Sequence, residues 1–169
     1  MTPTDTLTET GSTPDTWVAD AELRRRHRAI VADYMSRTGE GRRTRYQLFT
    51  EDGEGGLHTA DTPEPIVTRG RERLRVHADW SLECFPDWRW FNVQIHETQD
   101  PNRFWVECDG EGEIHFPGYE PGIYRNHFIH SFVLENGRIK QNREFMNPFN
   151  QLRALGIEVP VIRRGGIPT

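Results

Sequence analysis

Residues 124–146 read YRNHFIHSFVLENGRIKQNREFM. Apolar and polar residues alternate on both sides of Glu135-Asn136-Gly137, with the two-residue period of a half-buried strand. Asn-Gly between two such runs is the strongest short-range signal for a β-hairpin, because both residues tolerate the positive φ of a tight hairpin turn. A two-residue turn there sets Glu144 opposite Ile129. In that register His127, Ser131, Asn142 and Met146 share the face of Glu144. Phe128, His130, Phe132, Leu134, Ile139, Gln141, Arg143 and Phe145 take the other face, and a slip of one residue inverts every assignment. Glu144 therefore faces a mixed polar and apolar wall, which suits a pocket better than a solid core, and Arg143 points away from it.

Upstream, residues 88–99 and 103–116 are rich in aromatic and β-branched residues and flank a turn at Asp100-Pro101-Asn102, so they read as a second strand pair. Gly110 and Gly112 inside the later strand suggest a bulge or bend that helps the sheet curl. Before the strands come helices. Leu23, His27, Ile30, Val31 and Tyr34 recur at helical spacing and predict a helix over residues 20–37, with a short helical turn around 42–48. A second helix is expected over 70–85, ended by Pro86, with an inward stripe of Leu74, Ala78, Leu82 and Phe85. His77 and Ser81 lie on or beside that stripe, one helical turn apart. The glycine-rich EDGEGG at 51–56 reads as a loop before a short strand at 57–59, and a last helix is expected over 148–155. Helices first and antiparallel strands after describe an α+β domain, its helices packed on one face of a curved sheet.

Composition excludes several functions. The chain has 169 residues, enough for one domain with a proper core, and a net charge of -5 with no basic stripe to hold nucleic acid. No apolar run approaches the roughly 18–20 residues that a membrane span needs. Residues 1–16, Thr-rich and acidic, lack the basic and apolar regions of a signal peptide and read as a disordered leader ahead of a single domain over 17–169. A soluble cytoplasmic protein is expected. Cys84 and Cys108 stand apart without a CxxC, so neither a disulfide scaffold nor a zinc site is expected. Aromatic residues make up 11% of the chain, and they serve either a large core or the wall of a pocket for a flat ligand.

His127 and His130 resemble a metal pair, but on one strand they point to opposite faces. Glu107, Asp109, Glu111 and Glu113 line one strand face without the ligand order of a calcium loop, and read as a solvated face. No P-loop, GxGxxG or GxSxG occurs, so phosphate binding and covalent catalysis have no candidate. What remains are titratable residues that a helix-capped sheet could bring together: Glu144, His77 and Arg45. An acid–base pocket and an ordinary buried ion pair both fit them.

Longer segments go further. ELRRRHR (22–28), LFTEDGEGGLHTADT (48–62), HADWSLECFPDWRWFN (77–92), DPNRFWVECDGEGEIHFPGY (100–119), NHFIHSF (126–132) and NREFMNPFNQLRALGIEVP (142–160) resemble the phenazine-biosynthesis A/B proteins, as does RRGGIPT at the C-terminus. The resemblance covers about residues 20–169. It implies a cone-shaped α+β fold of the nuclear-transport-factor-like, ketosteroid-isomerase-like and SnoaL-like class, a deep pocket, a homodimer (or a heterodimer where a paralogous copy exists) and no cofactor. The implied substrate is a carboxylated amino ketone, 6-amino-5-oxocyclohex-2-ene-1-carboxylic acid. Two molecules condense head to tail, lose two waters and give a hexahydrophenazine-1,6-dicarboxylic acid that a separate oxidase aromatises. The glutamate of REFMN, here Glu144, is implied as the acid, and His77 as the residue that positions substrate and assists proton transfer. Ser81, Arg45 and Tyr124 match positions expected to bind carboxylates and polar groups. Some members of the family lack part of the catalytic pair, whereas this chain keeps both His77 and Glu144. Rival readings are a related isomerase, dehydratase or cyclase, and a non-catalytic binding or scaffolding member.

Overall fold

A computed structural model describes residues 14–166 and 168. Helix α1 (Pro14–Ser36) leads through a 3-10 helix (Gly39–Leu48) into strands β1 (Phe49–Leu57) and β2 (Ile66–Arg69). Helix α2 (Arg71–Cys84), strands β3 (Arg89–Glu97), β4 (Arg103–Ile114), β5 (Gly122–Glu135) and β6 (Arg138–Met146), and the short α3 (Pro148–Ala154) complete the chain. The strands form one sheet in the order β2-β1-β6-β5-β4-β3. All neighbours are antiparallel except β1 and β6, which run parallel. This is the expected α+β class. Positions 1–13 of the expected leader lie outside the described residues, and the first helix already begins at Pro14, where proline's fixed φ and missing N–H suit a helix start. Among the described residues no helix is long and apolar enough to cross a membrane.

The hairpin forms with positive φ at both Asn136 (50°) and Gly137 (72°), as the tight turn requires. Its register departs from the two-residue arithmetic after one more pair. Leu134 faces Ile139, but Val133 faces Gln141, so Lys140 is an extra residue bulged out of β6. Every later pairing slips by one, and Glu144 lies opposite His130, not Ile129. The side of the sheet that Asn142, Glu144 and Met146 share is therefore the one carrying Phe128, His130 and Phe132. His127 and Ile129 are exposed on the outer side, and Arg143 sits opposite Ser131, donating to its hydroxyl at 3.1 Å.

The EDGEGG stretch is not a loop; it belongs to β1, and β2 was not foreseen at all. Glycine serves close packing here, because a Cβ at Gly56 would stand 2.1 Å from the carbonyl oxygen of Ile66 on β2. The bend expected in β4 lies instead in β3, whose register shifts between Phe91 and Gln94 and where Asn92 has φ 52°. Gly110 gives room to two indoles: its Cβ would meet Trp88 Cζ2 at 2.3 Å and Trp90 Cζ3 at 2.8 Å.

The core fills the space between the inner sheet face and the helices. Val31, Tyr34 and Met35 of α1 meet Phe104, Val106, Phe132 and Ile139, and α2 buries Leu74, Ala78, Leu82 and Cys84, with Phe85 only partly buried. Cys84 and Cys108 are free and buried. The carboxylates of β4 form a solvated face with arginine and histidine partners. Arg89 and Arg125 reach Glu111, and His127 stands between Asp109 (2.9 Å) and Glu107 (3.3 Å).

Candidate active site

Between α2, the 3-10 helix and the inner sheet face lies a cavity of about 390 Å³, within the usual range for small-molecule sites. Glu144, His77, Arg45, Ser81 and Tyr124 all line it, although they come from four different elements. The aromatic residues serve core and pocket together. Trp88 stacks on Tyr124 at 5.1 Å, Trp90 meets Phe128 edge-on at 4.8 Å, and Phe85, Phe116 and Trp80 continue the wall.

Glu144 projects from β6 into this apolar surround. Its side chain keeps 21% exposure where it borders the cavity. Burial pushes its pKa from 4.5 up to about 7, against a lowering pull from Arg45 and from Asn142, whose Nδ2 lies 3.4 Å from Oε1. A carboxyl poised near neutrality can both donate and recover a proton. The same Asn142 Nδ2 donates to the Tyr34 hydroxyl at 3.2 Å.

Arg45 stands on the last turn of the 3-10 helix with its guanidinium carbon 4.8 Å above the Tyr34 ring. One amino group donates to the Arg37 carbonyl, while Nε is buried with no partner among the described residues. Burial lowers its pKa. The neighbouring Arg42 also lines the cavity, but its side chain is committed to the carbonyls of Gly39, Phe85 and Pro86.

His77 opens onto the cavity from α2, its ring 5.3 Å from Trp80. Although the residue is exposed at the cavity mouth, local desolvation lowers its pKa below the usual 6.5, which favours the neutral ring that can accept or donate a proton. Ser81 follows one turn later, as the spacing predicts. Tyr124 accepts from Asn126 Nδ2 at 2.9 Å, so its own hydroxyl proton is free to point at a ligand, and burial pushes its pKa to about 12.

Three contributors were not foreseen as site residues. Tyr34 and Asn142 join Arg45 to Glu144, and His130 lies beneath Glu144, with Nδ1 3.8 Å from Oε1. Asn142 was legible from its position two residues before Glu144 on one strand. His130 was hidden by the bulge. Among the described residues no group of three or more His, Cys, Asp or Glu side chains is arranged to hold a metal ion.

Comparison with known proteins gives the family. The family model described as phenazine biosynthesis protein A/B matches residues 10–169. The chain belongs to that family. It is 62% identical over 149 residues to phenazine biosynthesis protein PhzB of Pseudomonas fluorescens, covering 88% of this chain and 92% of that one. The crystal structure of a phenazine biosynthesis-related protein, PhzB2 of Pseudomonas aeruginosa, superposes with a TM-score of 0.89 at 59% identity, covering 90% of this chain and 99% of that one. A putative SnoaL-like polyketide cyclase from Jannaschia sp. CCS1 shares the fold at 15% identity, with a TM-score of 0.63 and coverage of 89% and 99%. The α+β fold of this phenazine biosynthesis A/B chain is thus SnoaL-like.

Proposed function

We propose that this chain is a cofactor-independent enzyme that condenses two molecules of 6-amino-5-oxocyclohex-2-ene-1-carboxylic acid head to tail. The observation that carries the reading is Glu144, a carboxyl raised to about 7 inside an aromatic cavity that also holds the partly buried Arg45. Each amine attacks the other molecule's ketone and gives a carbinolamine. Its C–O bond breaks as Glu144 protonates the hydroxyl, water leaves, and a C=N bond forms. The resulting carboxylate then takes a proton from the iminium nitrogen, and Glu144 is restored for the second dehydration. Two substrates become one tricycle and two waters, with no electrons gained or lost. Amino ketones condense unaided, so holding both in one orientation contributes alongside the acid.

Arg45 suits a substrate carboxylate because its planar fork donates two parallel hydrogen bonds. Neutral His77 orients the second substrate and relays protons, and Ser81 and Tyr124 supply neutral donors. The test generates the amino ketone in situ with its upstream isomerase and measures tricycle in the presence of the oxidase. The expected result is product well above the buffer control, with the enzyme-dependent rate declining as pH rises through about 7 and the Glu144 proton is lost. Product equal to buffer at every pH overturns the proposal.

We also propose that a second copy covers the outer sheet face. Trp105 and Ile129 are 42% and 41% exposed there, and the Phe145 ring lies 6.4 Å from that of Trp105. Such a contiguous apolar patch is what an interface buries. Sedimentation should find wild type as a dimer at micromolar concentration and Trp105→Asp as a monomer; a monomeric wild type refutes it.

A further inference from the structure

We propose that His130 is a positioning residue whose Nδ1–H donates to Oε1 of Glu144 and so keeps the acid proton on Oε2, the oxygen open to the cavity. This rests on the acid role proposed for Glu144.

The geometry is specific. His130 is the register partner of Glu144 across the β5–β6 pair, and its side chain is fully buried at 0% exposure. Its ring lies stacked between Phe128 (6.0 Å, 25°) and Phe132 (5.9 Å, 16°), while Trp90 meets it edge-on at 4.9 Å and 90°. Rings on three sides leave the imidazole little freedom to turn. Neither ring nitrogen meets hydrogen-bond distance and angle with any described residue, and Oδ1 of Asn142, the neighbour that favours the charged ring, is buried and unpaired as well, an arrangement that native proteins rarely retain without a reason. The Glu144 carboxyl is 3.8 Å from Nδ1. That gap exceeds a hydrogen bond and can close with a small side-chain rotation, as contacts in unliganded sites often do.

Both wall-side neighbours address the same oxygen. Asn142 Nδ2 lies 3.4 Å from Oε1, and His130 approaches Oε1 as well, whereas Oε2 has no partner among the described residues. A carboxylic acid whose one oxygen receives two donors carries its proton on the other. The remaining titratable or charged groups that act on Glu144 or feel its charge are Arg45, Tyr34, Tyr124 and Cys108. Burial drives the His130 ring down to about 3, with Asn142 opposing and Arg45 assisting, so the ring is neutral throughout the working range and carries a single N–H. Which nitrogen holds that hydrogen decides the matter.

Nitrogen NMR of the imidazoles reports the tautomer directly, and carbon NMR of labelled glutamate carboxyls, assigned with Glu144→Gln, reports the Glu144 titration. The expected results are an Nδ1–H tautomer and a Glu144 titration that moves up by about one pKa in His130→Phe, because a donor to the carboxylate has been lost. His130→Asn places an amide N–H near the former Nδ1 and should restore the titration. In the condensation assay His130→Phe should lose about tenfold in kcat with KM unchanged, and His130→Asn should recover most of it. An Nε2–H tautomer in wild type overturns the proposal, as does an unmoved Glu144 titration in His130→Phe. Should the titration shift as expected while wild type makes no product above buffer, the positioning stands and the condensation reading falls.

Discussion

Glu144→Gln is expected to lose about 10²- to 10⁴-fold of the enzyme-dependent condensation rate, the usual worth of a positioned general acid, while gaining stability at pH 8. The substitution is nearly isosteric, and the amide oxygen can still accept from Asn142, so the cavity keeps its shape. What disappears is the transferable proton. The stability gain follows from linkage. In the folded protein Glu144 holds its proton up to about 7, against about 4.5 in the unfolded chain. Between those values the unfolded form ionises first, so wild-type stability falls as pH rises from 4.5 to 7 and then levels off. That gap corresponds to at most roughly 3 kcal/mol. Glutamine does not titrate and escapes the loss. Denaturant midpoints at pH 5 and pH 8 should therefore diverge for wild type more than for the variant. An unchanged rate removes Glu144 as the acid, and leaves an orienting scaffold as the better account. Identical pH dependence of stability in the two proteins removes the raised pKa.

Under the proposed acid role, Glu144 would be an instance of function opposing stability, a largely buried carboxyl kept although an amide would suit the fold better. The hairpin that carries it was readable because Asn136-Gly137 and the alternation around it are local signals. Helix α2 was readable for the same reason, and with it the shared face of His77 and Ser81. Strands β1 and β2 were not. EDGEGG carries the composition of a loop, and only contact with β6, about ninety residues away along the chain, and with β2 makes it a strand. Nor does any residue type announce the bulge at Lys140. It forms where β1 has its own register break between Phe49 and Glu54 beside Ile139 and Gln141 of β6. One inserted residue moved His130 from the far side of the sheet to the floor beneath Glu144. The pattern of alternation still put Asn142, Glu144 and Met146 together, because residues two apart on one strand share a face whatever the partner's register. Arg45 had no pattern of its own; its place in the cavity depends on a 3-10 helix folding back over α2.

Arg45→Met should lower kcat/KM by about 30- to 1,000-fold, mainly through KM, as expected when roughly 2–4 kcal/mol of buried charge-assisted binding is removed. Arg45 is the cavity cation with unused hydrogen-bonding capacity. Arg42 is committed to three backbone carbonyls, whereas Arg45 Nε has no partner among the described residues and its charge faces Glu144. A carboxylated substrate would meet an acceptor-poor guanidinium at the moment of binding. Methionine keeps the packing over Tyr34 and leaves no unpaired donor, so the thermal midpoint should change little. A second consequence separates this arginine from a mere anchor. Arg45 lowers the pKa of Glu144, so its removal must raise that pKa and carry the alkaline limb of the rate profile upward. At pH 8 more of the variant's Glu144 is therefore protonated, and kcat should fall far less than kcat/KM. Arg45→Lys retains a charge without the planar fork and should restore the limb while recovering only part of KM. A loss confined to kcat, or a limb that moves down, would remove Arg45 as the carboxylate anchor and leave it a structural cap on the Tyr34 ring.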